Sequence, residues 1–172
     1  MPRESRQVDC KWRSPLDLVH LIETVVRRLQ VKSPGVGVVL DLPQHLPTVM
    51  ADRDRIEEVL QNLLDNAIKY SPDRREVTIA CRATGDEVIV SISDVGMGIS
   101  LRDQEQIFER FHRVGDGMTG SIQGAGLGLY ICRAIVEAHG GRIWIENTLH
   151  QGSTFSFSLP RVEKTYLPIM VF

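Results

Sequence analysis

Two asparagines stand one helical turn apart in Gln61-Asn62-Leu63-Leu64-Asp65-Asn66-Ala67-Ile68-Lys69-Tyr70. Asparagine is a mediocre helix former because its side chain competes with the backbone for hydrogen bonds. Two of them in an otherwise apolar helix ask for a reason. The amide oxygen of Asn66 is a hard donor of the kind magnesium takes, an ion that keeps several of its own waters. The alternative, two solvated asparagines on an exposed face, is open at this point. Further along, Asp94 runs into Val95-Gly96-Met97-Gly98. A carboxylate at the edge of an apolar pocket accepts a hydrogen bond from the amino group of adenine, whereas guanine would present a repelling carbonyl oxygen. Glycine beside it allows positive φ and close approach of a ligand. An ordinary Asp-X-Gly turn would leave the same trace. Gly124-Ala125-Gly126-Leu127-Gly128-Leu129 is a glycine-rich entry to a helix, where backbone N–H groups and the positive dipole end hold phosphate. Gly152-Ser153-Thr154-Phe155 opens a strand, and Thr154 could reach a base through its hydroxyl or a bridging water, if the stretch is not a plain hairpin turn. An amide for a metal, a carboxylate for a base and glycines for phosphate are together what a magnesium nucleotide requires.

The elements that must carry these groups are legible from period and punctuation. Asp52 to Tyr70 reads as a helix, capped by Asp52 and stopped at Ser71-Pro72. Ile56, Val59, Leu60, Leu63, Leu64, Ala67 and Ile68 form its buried stripe, while Asn62, Asn66 and Lys69 share a different face. Pro15 to Val31 reads as an amphipathic helix with proline in its first turn. Val36 to Leu42 and Pro47 to Met50 are strand-like. Glu76 to Arg82 and Glu87 to Ser93 form a hairpin around Gly85-Asp86. Leu101 to Phe111 is a short helix, His112 to Gln123 a glycine-punctuated loop, and Gly124 to His139 a helix. Arg142 to Asn147 and Ser153 to Leu159 close as an antiparallel pair. Strands and helices come in blocks, which predicts an α+β sandwich with helices on one face of a mixed sheet. The glycine motif lies too late for a dinucleotide fold, which wants it after an early strand. A P-loop needs Gly-Lys-Ser or Gly-Lys-Thr, and neither occurs.

The chain has 172 residues, enough for one domain with a core. With 42% hydrophobic and 24% charged residues it reads as globular, not disordered. A net charge of -2 offers no basic field for nucleic acid or anionic lipid. No apolar stretch is long enough to cross a bilayer, so direct membrane contact is not expected of this chain. Cys10, Cys81 and Cys132 are scattered and odd in number, which argues against a disulfide framework and fits a reducing, cytoplasmic setting. Residues 1–14 read as a tail or linker remnant, 15–160 as the domain, and 161–172 as an apolar tail for which no motif accounts.

With its four motifs in this order, the chain resembles the catalytic ATP-binding domain of sensor histidine kinases, kin to the ATPase domains of gyrase and the mismatch-repair proteins. The likeness runs from about Pro15 to Pro160. It includes Ile107-Phe108-Glu109-Arg110-Phe111, which resembles the phenylalanine box of those kinases. The resemblance implies a Bergerat-type fold, a two-layer sandwich of a mixed, mostly antiparallel sheet with helices packed on one side. It implies ATP and Mg2+ as cofactors, with Asn66 on the metal. Asn62 and Lys69 would sit near the phosphates and Tyr70 beside the nucleotide. Asp94 would take the adenine amino group, with Gly96 and Gly98 letting the base approach. Gly124, Gly126, Leu127 and Gly128 would hold the phosphates under a lid formed by residues 112–123, with Thr154 near the base. Arg110 would face transition-state charge on the γ-phosphate, so that Asn62, Lys69 and Arg110 carry the catalytic roles. Gyrase-like ATPases have a water-activating glutamate where this chain has Asn62, and an amide is no general base. Poor hydrolysis is therefore expected, with the γ-phosphoryl group destined for a histidine.

None of His20, His45, His112, His139 or His150 has the phosphoacceptor context of that family. The acceptor is expected on a separate helical hairpin domain, with a response regulator downstream, a monomeric isolated domain and a parent kinase that is either soluble or membrane-anchored. The rivals are an ATPase of the same superfamily using Glu58 or Asp65, and a non-catalytic ATP-sensing module.

Overall fold

The computed structural model describes residues 12–71, 76–112, 126–147 and 152–162. The elements run β1 (Ser14–Leu16), α1 (Leu18–Lys32), β2 (Gly37–Asp41), β3 (Val49–Ala51), α2 (Arg53–Lys69), β4 (Glu76–Thr84), β5 (Glu87–Asp94), α3 (Leu101–Gln106), α4 (Gly128–Ala138), β6 (Ile143–Asn147) and β7 (Ser153–Pro160). The main sheet has the order β2-β4-β5-β7-β6; β2 lies parallel to β4 and every other pair is antiparallel. β1 and β3 form a small separate pair. The expected α+β sandwich is the fold observed.

Alternation along the strands decides which face is buried. Val77, Ile79 and Cys81 of β4, Val88, Val90 and Ile92 of β5, and Phe155, Phe157 and Leu159 of β7 turn inward. They meet Leu21, Ile22 and Val25 of α1, Ile56, Leu60 and Leu63 of α2, and Cys132, Ile135 and Val136 of α4. On the opposite face small hydroxyls pair across strands, Ser91 Oγ with Ser156 Oγ and Ser93 Oγ with Thr154 Oγ1, each at 2.8 Å. Among the described residues, no helix is long and apolar enough to cross a membrane.

Three boundaries differ from the sequence expectation. Pro15 lies not in a helix but in β1, opposite Met50. The helix starts after Asp17, whose carboxylate accepts from the His20 N–H at 3.1 Å and so satisfies one of the first-turn donors. The short helix α3 ends at Gln106, and residues 107–111 turn, with Phe111 at φ +64°. The fourth helix begins at Gly128, and the expected lid lies outside the described residues from 113 onward. The folded body also takes in residues assigned to the two tails. The Arg13 guanidinium donates to the Ala138 carbonyl, and Val162 N–H donates to the Thr48 carbonyl at 3.0 Å.

Candidate nucleotide site

α2 is the spine of the site. Asp52 caps it, accepting from Asp54 N–H at 3.1 Å and Arg55 N–H at 3.2 Å. Its C-terminal end meets the segment after β5, and its middle meets the start of α4.

At the β5 end the contacts are dense. Asp94 is buried, and three donors converge on one of its oxygens, Oδ1: Gly96 N–H at 2.8 Å, Ser153 N–H at 3.3 Å and Ser71 hydroxyl at 3.3 Å. Among the described residues none donates to Oδ2, which is the oxygen left to accept from a base. Burial pushes the Asp94 carboxyl above the usual carboxylate range; the Gly96, Ser153 and Ser71 donors pull the other way without cancelling it. Two glycines here are required by neighbouring backbone. A Cβ on Gly96 would stand 2.1 Å from the Tyr70 carbonyl oxygen, and a Cβ on Gly152, at φ +98°, would stand 2.0 Å from the Asp94 carbonyl oxygen. The space beside Gly96 is thus filled by the last turn of α2. Gly98 adopts φ +72°.

At the α4 end the arrangement is more open. The other three helices have side-chain caps from Asp17, Asp52 and Ser100; α4 has Leu127 at its N-cap position, with no side-chain cap and no acidic residue in its first turn. Its first N–H groups and dipole are therefore not offset by a capping side chain. Gly128 faces α2 closely, and a Cβ there would lie 3.2 Å from Asn62 Oδ1. The Asn62 amide also hydrogen-bonds the Cys132 thiol, which burial, with Glu58 nearby, pushes up to about 12. Gly126, at φ +66°, packs under the backbone of Phe111 and His112, and its carbonyl accepts from Phe111 N–H at 3.1 Å. Arg110 lies over the rings of Phe111 and Tyr130 at 5.2 and 5.8 Å, which brings its guanidinium beside the first turn of α4. Phe108 anchors this turn edge-on to Phe155 at 6.3 Å.

Asn66 lies on α2 between these two ends, and Lys69 closes the helix beside Tyr70. Asn66 is half-buried, and Lys69 Nζ sits 5.7 Å over the Tyr70 ring. Among the described residues no group of three or more His, Cys, Asp or Glu could cage a metal. A lone asparagine oxygen suits a magnesium ion that arrives with its phosphates and keeps most of its waters.

The structure therefore gathers Tyr70, Asp94 and Gly96 at the C-terminal end of α2, and Asn62, Gly126, Leu127, Gly128 and Arg110 where the start of α4 meets its middle. Gly124 lies outside the described residues. Thr154 does not join them. It is paired with Ser93, one residue before Asp94, and points to the opposite face of the sheet, where its hydroxyl meets that of Ser93. Ser153 takes the inward position instead. Ser71 and Ser153 were not anticipated. Only strand parity could have signalled Ser153, and a serine at a helix stop gave no cue.

A family model described as histidine kinase-, DNA gyrase B-, and HSP90-like ATPase matches residues 51–163, from the end of β3 to just past β7. The chain belongs to this family. Within it, the similarity is to histidine kinases. It is 43% identical over 143 residues to the adaptive-response sensory kinase SasA of Synechococcus elongatus, covering 81% of this chain and 36% of that protein. It is 36% identical over 161 residues to the sensor histidine kinase WalK of Bacillus subtilis, covering 92% and 26%. The chain thus spans about a third or less of those relatives. Among solved structures, the catalytic domain of histidine kinase ThkA superposes with a TM-score of 0.72 at 32% identity, covering 87% of this chain and 96% of that one. Full-length ShkA in complex with AMPPNP superposes with a TM-score of 0.77 at 28% identity, covering 91% and 32%. The fold of this chain is that of a histidine kinase catalytic domain.

Proposed function

We propose that this domain binds Mg-ATP and donates the γ-phosphoryl group to a histidine on a separate helical-hairpin domain of a cytoplasmic two-component signalling kinase. The observation that carries this reading is the division of α2 between two unlike surroundings. Its C-terminal end closes around a buried carboxylate, one oxygen of which has no donor among the described residues. Its middle faces the N-terminus of α4, which has no side-chain cap and where an anion is favoured.

In this reading Asp94 Oδ2 accepts from the adenine amino group while Ser71, Ser153 and Gly96 hold the carboxylate in place. Asn66 supplies an oxygen to the magnesium that accompanies the triphosphate. The first amides of α4, with Leu127 and Gly128, receive the phosphates, and Lys69 and Arg110 supply positive charge. Phosphoryl transfer relies on such positioning and neutralisation. The acceptor imidazole nitrogen bonds to the γ-phosphorus, the bond to the bridging oxygen breaks, and ADP leaves. Of the two carboxylates that could activate water in its stead, Glu58 is paired with Arg55 at 3.0 Å, and Asp65 lies with Arg28 and Lys32 at the α1 side of α2.

The test is to mix the chain with γ-labelled ATP and a histidine-bearing hairpin from a related kinase. An acid-labile label on the hairpin is expected. Steady phosphate release without a hairpin would favour an ATPase instead. Tight Mg-ATP binding with neither product would favour a nucleotide-sensing module. Magnesium dependence of binding that survives Asn66→Ala would move the metal elsewhere.

A further inference from the structure

His139, buried at the end of α4, makes two hydrogen bonds that fix its chemistry. Nδ1 lies 2.8 Å from the Ile135 carbonyl oxygen, and Nε2 lies 3.0 Å from the backbone N–H of Asp52. A carbonyl can only accept and an N–H can only donate. The ring must therefore be neutral, with its proton on Nδ1 and a bare Nε2. Asp52 is the residue that caps α2 and His139 is the C-terminal cap of α4, so this bond joins the end of one site helix to the start of the other.

Two more contacts follow the same line. The Cys132 thiol faces the Val59 carbonyl at 3.9 Å, and Gly128 faces Asn62 Oδ1. From 52 to 59 to 62 on α2, the partners on α4 fall from 139 to 132 to 128. The helices are antiparallel and in step. Asn66, one turn beyond Asn62, then lies past the first residue of α4.

We propose that His139 is a positioning residue that pins the register of α2 against α4 and so decides which α2 side chains face the phosphate-holding amides. This rests on the nucleotide reading above. A slip of one residue moves a helix by about 1.5 Å, and a working site tolerates only about 0.5 Å. The pin meets α2 ten residues before Asn62, touches no ligand, and acts through the two helices alone.

Among the described residues, the charged groups facing His139 are Arg13, from the segment before β1, and Asp52 on α2. Burial and Arg13 hold the imidazole below its ordinary range of 6.5, against the Ile135 carbonyl and Asp52, which pull it up. Protonation would put a proton on Nε2 and break the bond to Asp52.

The experiment compares ATP with adenosine, which occupies only the Asp94 end. Calorimetric titration of His139→Ala should show roughly tenfold weaker Mg-ATP binding, a loss of the size one hydrogen-bonded contact commands, with adenosine affinity unchanged. Glutamine carries an acceptor at about the reach of Nε2, so His139→Gln should recover most of the loss, and the shorter His139→Asn should not. In the wild type, ATP affinity should decline as pH falls below the ordinary histidine range, and His139→Gln should flatten that decline. Nitrogen-detected spectra of the wild-type ring at neutral pH should show a proton on Nδ1 alone. Equal losses for ATP and adenosine, an unchanged ATP affinity, or a proton on Nε2 would each overturn the proposal. If His139→Ala fails to fold, the glutamine variant, the pH profile and the ring spectra decide it. A wild type that binds neither ligand would sink the nucleotide reading, while the ring spectra would still decide the hydrogen-bonded pin.

Discussion

The two ends of the nucleotide site are built to different standards of completeness. Around Asp94, three donors meet one carboxylate oxygen, and two glycines are held against backbone carbonyls with no room for a methyl group. Around α4, the helix starts without a side-chain cap, and the approach of its first residue, Gly128, to Asn62 leaves a Cβ at 3.2 Å. A planar base has one shape and a fixed hydrogen-bonding edge, so its recognition benefits from a rigid, pre-wired acceptor. A triphosphate is flexible and carries its own metal, and its site gains from donors left open until it arrives. Damage at the first end should therefore reach folding, and damage at the second should be felt mainly by the ligand.

The largest effect is expected from Gly152→Ala. Its Cβ would collide with the Asp94 carbonyl at 2.0 Å, and φ +98° suits no L side chain. Overpacking and backbone strain together should cost about 2–5 kcal/mol, a large part of a domain's stability. Urea unfolding measures it. A loss under about 1 kcal/mol would mean that the β5 end yields more than its contacts suggest.

Next comes Asp94→Asn. It keeps an acceptor for the three donors but turns an N–H2 toward the base, where the adenine amino group also donates. ATP and adenosine affinity should both fall by roughly a hundredfold, about 2.7 kcal/mol. Stability should hold or rise, because the variant removes a carboxylate that burial disfavours. Affinity within a factor of about three of wild type would separate the base from this carboxylate.

Gly128→Ala should do less. Alanine favours a helix over glycine by about 1 kcal/mol, so thermal stability should not fall, while the methyl group presses on Asn62 Oδ1. ATP affinity should drop by roughly threefold to tenfold, about 1 kcal/mol, with adenosine unaffected. Equal losses for both ligands would erase the distinction between the two ends.

The parts of this site that could be read from sequence are those determined locally. Asp52 as a cap, the stripe from Ile56 to Ile68 and the stop at Ser71-Pro72 are near-neighbour effects, and α2 lies where they put it. Pro15 was misread because its strand partner, Met50, lies far along the chain, and pairing outweighed the local preference of proline for a first helical turn. The choice between Ser153 and Thr154 turns on one residue of strand register, fixed by Ser93 opposite Thr154. A motif of consecutive residues does not carry that parity. Gly96 was expected to let a base approach; the structure adds that a Cβ there would meet the Tyr70 carbonyl, a contact between two segments that only the folded chain brings together. Residue types revealed the chemistry, while tertiary contacts determined which of two neighbouring side chains performs it.

The smallest effect expected is a pH dependence of adenosine binding, set at the rigid end. With three donors held on Oδ1, a proton added to Asp94 goes to Oδ2, the oxygen reserved for the base. The folded pKa is raised above the ordinary 3.8 by burial. In the ligand-free protein this group therefore costs stability at neutral pH and less as pH falls through the raised value toward 3.8. A bound base favours the ionised form and reverses that shift, so binding in this window should release protons. Adenosine should thus lose affinity at a higher pH than an ordinary carboxylate would dictate. Titration in buffers of different ionisation enthalpy measures the protons released. Asp94→Asn should abolish the release, and its persistence in that variant would place the titrating group elsewhere, leaving the rigid end without the proton linkage that its buried carboxylate requires.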